Sequence, residues 1–174
     1  GTHVTGTVAA VTDNATGVAG TAYDAKVVPV RVLGRCGGTL SDIADAIVWA
    51  SGGSVSGVPA NPHPAEVINL SLGGRSPCSS TLQRAIDNAV ARGTTIVVAA
   101  GNQSTDVAGV MPANCAGVIA VAATTRRGAK AGFSNFGTGI DISAPGQTIL
   151  STLNAGMTLP REATYAAYNG TSMA

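Results

Sequence analysis

The stretch Asn169-Gly170-Thr171-Ser172-Met173-Ala174 decides how the rest of the chain is read. A serine follows a glycine and a small hydroxyl residue, and two good helix formers come after it. This pattern suits a tight turn that sets a hydroxyl on the first turn of a helix. Unpaired N–H groups and the positive dipole end at such a place stabilise a developing alkoxide. A serine there is a candidate nucleophile wherever a base lies beside it. A plain N-cap serine fits the same residues, so other stretches have to decide.

Working outward, apolar strands alternate with amphipathic helices. Lys26-Val27-Val28-Pro29-Val30-Arg31-Val32-Leu33 reads as a strand, although Pro29 suits an edge or a bulge better than a central position. Ser41 is expected to cap a helix with Ile43, Ala46, Ile47 and Ala50 on one face. Glu66–Leu72 is the next strand. Ser79 or Ser80 caps a long helix whose buried face is Leu82, Ala85, Ile86, Ala89 and Val90, and Gly93 ends it. Thr95–Ala100 and Val118–Ala122 are further apolar strands, with an irregular stretch containing Met111-Pro112 between them. Val4–Val11 reads as a buried helix and Gln147–Thr152 as a short strand. Asn154–Thr164 reads as a surface insertion. Alternation of this kind implies parallel βαβ units with right-handed crossovers. The predicted fold class is α/β, a three-layer sandwich on a mostly parallel central sheet, incomplete at both ends.

Composition narrows the function. The chain has 174 residues, 45% apolar, 11% charged and 3% aromatic, about one domain's worth of small-residue core. A net charge of +1 gives no sign of nucleic acid or of an anionic membrane surface as a partner. No apolar run is long enough to span a bilayer. Three cysteines, Cys36, Cys78 and Cys115, leave one without a partner in this chain. Cys36 and Cys78 each follow a predicted strand. If those strands are neighbours the two thiols can bridge, and otherwise they are free. A loop of roughly 40 residues closed in this way would stabilise by about 4 kcal/mol. His63, between two prolines, is expected in solvent.

Four stretches occur in one order: Gly1-Thr2-His3-Val4-Thr5-Gly6-Thr7-Val8-Ala9-Ala10, Asn69-Leu70-Ser71-Leu72-Gly73-Gly74, Ala99-Ala100-Gly101-Asn102 and Asn169-Gly170-Thr171-Ser172-Met173-Ala174. Together they resemble the subtilisin-like serine proteases, the subtilases. The likeness runs over nearly the whole chain. It implies that Ser172 is the nucleophile and Asn102 the side-chain donor to the oxyanion. The family's opening motif reads His-Gly-Thr-His, and the first histidine is catalytic. His3 therefore matches the second and is read as a packing residue. The family order is Asp, His, Ser, and none of the seven aspartates here sits in the family's Asp-Thr/Ser-Gly setting. Catalytic His and Asp are thus expected upstream, and residues 1–174 by themselves are expected to fold poorly and hydrolyse nothing.

The resemblance implies more about the site. Gly37, Gly38 and Thr39 on one side, and Ser71, Leu72, Gly73 and Gly74 on the other, would flank an extended peptide and bond its backbone. Ala99, Ala100 and Gly101 would form a wall of the pocket for the residue before the scissile bond. Calcium would be held by the carbonyls of Val11, Thr16 and Val18 and the side-chain oxygen of Asn14; the same loop also reads as a plain turn. The Met111-Pro112 bond would be cis. A secreted, extracellular location, polypeptide substrates and a monomer follow as expectations. Two rivals stand beside a serine endopeptidase. One is a non-catalytic subtilase-like protein that binds peptides without cutting them. The other is a nucleotide-binding α/β protein, disfavoured because neither Gly-x-Gly-x-x-Gly nor a P-loop is present.

Overall fold

A computed structural model describes residues 1–174. Four strands form the central sheet in the order β1 (Val67–Leu70), β3 (Thr95–Ala99), β5 (Val118–Thr124), β6 (Ile142–Pro145), all parallel. Two short strands, β2 (Gly74–Arg75) and β4 (Val110–Met111), pair antiparallel beside it. A hairpin of β7 (Ile149–Asn154) and β8 (Ala163–Tyr168) forms a third unit. The helices are α1 (Thr2–Ala9), α2 (Leu40–Ala50) and α3 (Ser80–Ala91), with one 3₁₀ turn at Val107–Gly109. This is the expected α/β architecture on a parallel sheet. Nothing longer than that 3₁₀ turn separates β3 from β5, as the irregular stretch predicted.

One core joins helices to sheet. Ile47 of α2 and Leu82, Ile86 and Ala89 of α3 pack with Ile68, Ile96, Val98 and Ala120 of the strands, all buried. Burial of this kind stabilises by roughly 25 cal/mol per Å² of apolar surface. Alanine at 85, 89, 120 and 122 lets backbone approach backbone, which a low-aromatic sequence requires for native packing density. Helix α3 begins at Ser79, whose side chain accepts from the Leu82 N–H, and stops before Gly93 with its φ of +89°. Val90, assigned to the buried face, is instead exposed, because α3 presents only the Leu82–Ala85–Ile86–Ala89 stripe to the core. Thr39, not Ser41, caps α2: its hydroxyl accepts from the Asp42 N–H at 3.1 Å, and Ser41 only hydrogen-bonds that same hydroxyl.

Two further expectations fail, and the second follows from the first. Lys26–Leu33 forms no strand. None of its backbone groups makes a backbone hydrogen bond, and Val27, Val28, Val30 and Leu33 are exposed. Pro29 has no N–H to give a ladder, and β1 pairs on one side only, with β3. Cys36 therefore has no strand to bring it beside Cys78. It is exposed and free, and the disulfide joins Cys78 to Cys115. The β2–β4 pairing accounts for that choice. It matches Gly74 with Met111 and Arg75 with Val110, and Asn114 donates to the Ser76 carbonyl. The two cysteine Cα atoms end 5.2 Å apart, within bridging range.

Non-reducing peptide mapping after alkylation is expected to yield a linked Cys78–Cys115 peptide and no Cys36–Cys78 peptide; the latter would overturn the assignment. The bridge spans 37 residues, so Cys78→Ser or Cys115→Ser is expected to cost about 2–4 kcal/mol in chemical denaturation, against about zero for the exposed Cys36→Ser.

Candidate active site

Parallel strands bring their carboxyl ends to one edge of a sheet, where ligands of open α/β folds bind. Two chain segments far apart in sequence meet there. The first leaves β3. Ala100 N–H still bonds the Val121 carbonyl; then Gly101, at φ +103°, turns the chain away from the sheet and presents Asn102. The second leaves β8 and turns at Gly170, Thr171 and Ser172, closed by the Met173 N–H on the Gly170 carbonyl at 3.1 Å.

Hydrogen bonds from three sides pin this second turn. Asn169 Oδ1 accepts from the Thr148 N–H at 2.7 Å. The Gly170 N–H donates to the Gly146 carbonyl at 2.9 Å. A Cβ at Gly146 would lie 2.7 Å from the Gly170 carbonyl, so only glycine permits this docking. Ser172 Oγ contacts the Ser71 carbonyl at 3.4 Å, and the Ser71 hydroxyl donates to the Ser172 carbonyl at 3.2 Å.

Thr171 ties the two segments together. Its N–H and its hydroxyl both donate to Asn102 Oδ1, at 2.8 and 3.0 Å, and its Oγ1 accepts from the Gly101 N–H at 3.0 Å. A backbone N–H can only donate, so the atom facing Thr171 is the amide oxygen of Asn102. Nδ2 is thereby turned away, without a protein partner, and lies close to Gly170. An open cavity of about 440 Å³ lies there, lined by Asn102, Tyr168, Gly170, Ser172 and Met173 among others.

The remaining expected site residues divide. Ser71, Leu72 and Gly73 make no backbone–backbone hydrogen bond, so their groups stand open for an added strand. Gly74 already pairs with Met111. Ala99 and Ala100 are buried, Ala100 completely, and the Gly101 N–H bonds the Thr171 hydroxyl on the turn that carries Ser172. Gly37 (φ +92°) and Gly38 lead into the Thr39 cap and make no hydrogen bond with Ser172 or Asn102. His3 packs as expected. It is buried, stacks on Tyr168 with ring centroids 4.5 Å apart, and its Nε2 meets the Ala166 carbonyl at 2.9 Å. His63 lies in solvent, and Met111-Pro112 is cis. The roles of Thr171 and Gly146 were missed. Thr171 stands inside a quoted motif and Gly146 just before the predicted strand Gln147–Thr152, but only the meeting of distant segments gives each a purpose.

Val11–Ala19 surrounds a second cavity of about 270 Å³. Asp13, Ala15 and Gly17 all have φ near +60°, and two of these are not glycine, a conformation with a backbone cost. Asn14 Oδ1 accepts from the Thr16 N–H at 3.1 Å. No cluster of three or more His, Cys, Asp or Glu side chains exists for a metal, and Asp13 is the one carboxylate in the cavity lining, so an ion here would rest mostly on neutral oxygens. Val11, Asn14, Thr16 and Val18 fit calcium in kind but number fewer than the roughly six to eight oxygens it takes.

At its carboxyl edge the α/β sheet thus gathers a turn-borne serine, an asparagine amide N–H without a protein partner and strand backbone without a backbone partner, an arrangement suited to a nucleophilic serine. The subtilase family model (peptidase S8) matches residues 1–174. The chain is 75% identical to the extracellular protease of Xanthomonas campestris over all 174 residues, which make up 30% of that protein. It is 51% identical to the extracellular basic protease of Dichelobacter nodosus, again over the whole chain and 29% of the relative. A solved protease of Pseudoalteromonas arctica superposes with a TM-score of 0.97 at 56% identity, over 99% of this chain and 53% of that one. The chain belongs to the subtilase family. It spans about a third of the length of those two curated relatives.

Thr171→Val keeps the shape of residue 171 and removes both bonds of its hydroxyl, the one donated to Asn102 Oδ1 and the one accepted from the Gly101 N–H. If the full-length protein is a peptidase, its kcat for a peptide substrate is expected to fall at least about tenfold with KM nearly unchanged, the loss falling on the transition state.

Proposed function

We propose that the protein carrying this chain is a secreted serine endopeptidase that cleaves polypeptides through an acyl-enzyme. One observation bears the weight: Thr171 locks Asn102 through its Oδ1 and leaves the Nδ2 amide without a protein partner, and Asn102 and Ser172 line one cavity. The extracellular proteases among its relatives support the location. Ser172 Oγ adds to the scissile carbonyl. The oxygen of that carbonyl becomes an oxyanion, received by Asn102 Nδ2 and the Ser172 N–H. The serine proton passes to a histidine outside residues 1–174, which later returns it to the leaving amine. Ser71–Gly73 bonds the substrate backbone as an added strand.

The reading predicts that a fluorophosphonate labels the full-length enzyme at Ser172 and that Ser172→Ala loses both labelling and hydrolysis. A wild-type enzyme that neither reacts nor cleaves would favour the peptide-binding alternative. Asn102→Ala is expected to lower kcat by about 10²–10³, the magnitude known for the same donor in subtilisin itself rather than one obtained from these distances.

Calcium binding at Val11, Asn14, Thr16 and Val18 is part of the same proposal, with the remaining oxygens supplied by water or by residues beyond this chain. Bound there, the ion would offset the cost of the positive-φ backbone and fix the end of α1. Chelation of the full-length enzyme is expected to lower its Tm, by less in Asn14→Ala than in wild type; an unchanged Tm on chelation would remove the site.

A further inference from the structure

Asn135 is a fully buried side chain that touches neither Ser172 nor the cavity beside it. All its hydrogen-bonding positions are spent on one loop, the loop that presents Asn102. Its Nδ2 donates to the Ala100 carbonyl at 2.8 Å and to Gln103 Oε1 at 3.1 Å. Its Oδ1 accepts from the N–H groups of Gln103 and Thr105, at 3.0 and 3.1 Å. Its own N–H donates to the Gly101 carbonyl at 3.0 Å. All the partners except Gln103 Oε1 are backbone groups of fixed polarity, so the amide orientation is determined.

The grip brackets Asn102. Residues on both sides, at 100, 101, 103 and 105, are held, and Gln103 Oε1 closes the circuit by accepting from the Asn102 N–H at 3.1 Å. Gly101 belongs to the same device, since a Cβ there would strike Asn135 Nδ2. Asn135 is anchored in turn through Ser134, also fully buried, whose Oγ accepts from the Ala123 N–H of β5 at 2.9 Å. The loop that bears the amide donor is thus referenced to the central sheet, while Thr171 references the donor to the nucleophile.

We propose that Asn135 is a positioning residue for the oxyanion donor: it fixes the backbone of residues 100–105 so that Asn102 Nδ2 lies where the oxyanion forms. The inference rests on the serine endopeptidase reading above. It differs from a general stabilising role in what it predicts, because displacement of a donor penalises the transition state and spares ground-state binding.

The test uses the full-length enzyme and its Asn135→Asp and Gln103→Ala variants, each alone and with Asn102→Ala. Asn135→Asp keeps the size and both acceptor bonds but turns a carboxylate oxygen on the Ala100 carbonyl. Gln103 is exposed, so Gln103→Ala folds whatever happens at position 135 and still cuts the link to the Asn102 N–H. Expected for Asn135→Asp is a kcat lower by about 10- to 100-fold with KM within about twofold, as for a catalytic group displaced by a fraction of an ångström. Gln103→Ala is expected to lose about three- to tenfold by the same route. Affinity for a peptide boronic acid should fall in parallel with kcat. With Asn102→Ala already present, both substitutions should change kcat by less than about twofold, since the donor they position is gone. Unchanged kcat in Gln103→Ala, or equal losses with and without Asn102, would overturn the proposal. A wild-type enzyme without peptidase activity would instead overturn the reading beneath it.

Discussion

Strand β3 is the fixed reference of this molecule. It is paired on both sides, with β1 and with β5, and the last bond of its ladder runs one residue past it, from Ala100 to Val121. Nothing in the site can be placed until that register is set, because Gly101 must leave the sheet at one defined point. A slip of one residue would exchange the faces of every side chain on the strand. It would put Asn102 where Gly101 now packs on Asn135. Alternation of buried Ile96 and Val98 is the energetic guard against that slip, so core packing determines where the donor stands.

Distant segments are then joined by polar bonds rather than by apolar contact. From Asn102 to Thr171 the chain runs 69 residues, and from Ser71 to Ser172 it runs 101. Closing such loops costs entropy that grows only slowly with length. The cost is met chiefly by the sheet and its helices, which leaves the short polar bonds free to set geometry. Small residues make this possible. Gly146 admits the Gly170 carbonyl, Gly101 admits Asn135, and Gly6 lies against Ser151 and Thr152 of β7. A chain with 23 glycines and 3% aromatics is suited to backbone approaching backbone. It is poorly suited to a core of large interlocking side chains.

Much of this was legible in the sequence. Strongly periodic or continuously apolar segments, such as Leu82–Ala89 and Thr95–Ala99, declare themselves because burial alone accounts for them. Ser172 and Asn102 were legible through motif resemblance, and His3 through its offset in the opening motif. Lys26–Leu33 was misread because β-branched composition cannot say whether a strand finds a neighbour, and that error carried Cys36 into the wrong pair. Ala100 was assigned to a pocket wall through the resemblance, and alternation along β3 sends its side chain to the core. Asn135 was given no role by the sequence. A buried asparagine satisfied at every position has no periodic or compositional signature, since its meaning lies in carbonyls and N–H groups some 30 residues away.

The orientation of Asn102 also settles where its cost and its benefit fall. Its Oδ1 holds two donors, and its Nδ2 holds no protein acceptor. Had that amide been buried, an unmet donor would cost about 1–3 kcal/mol in the resting protein. Asn102 is exposed, so water meets the need until a substrate arrives. On the endopeptidase reading, a peptide covering the cleft would displace that water and offer Nδ2 the oxygen of the scissile carbonyl. The bond would strengthen as that oxygen gains charge. A donor left unsatisfied by the fold, but held in place by Thr171 and by the loop around it, would then contribute little to substrate binding and most to the step in which negative charge appears.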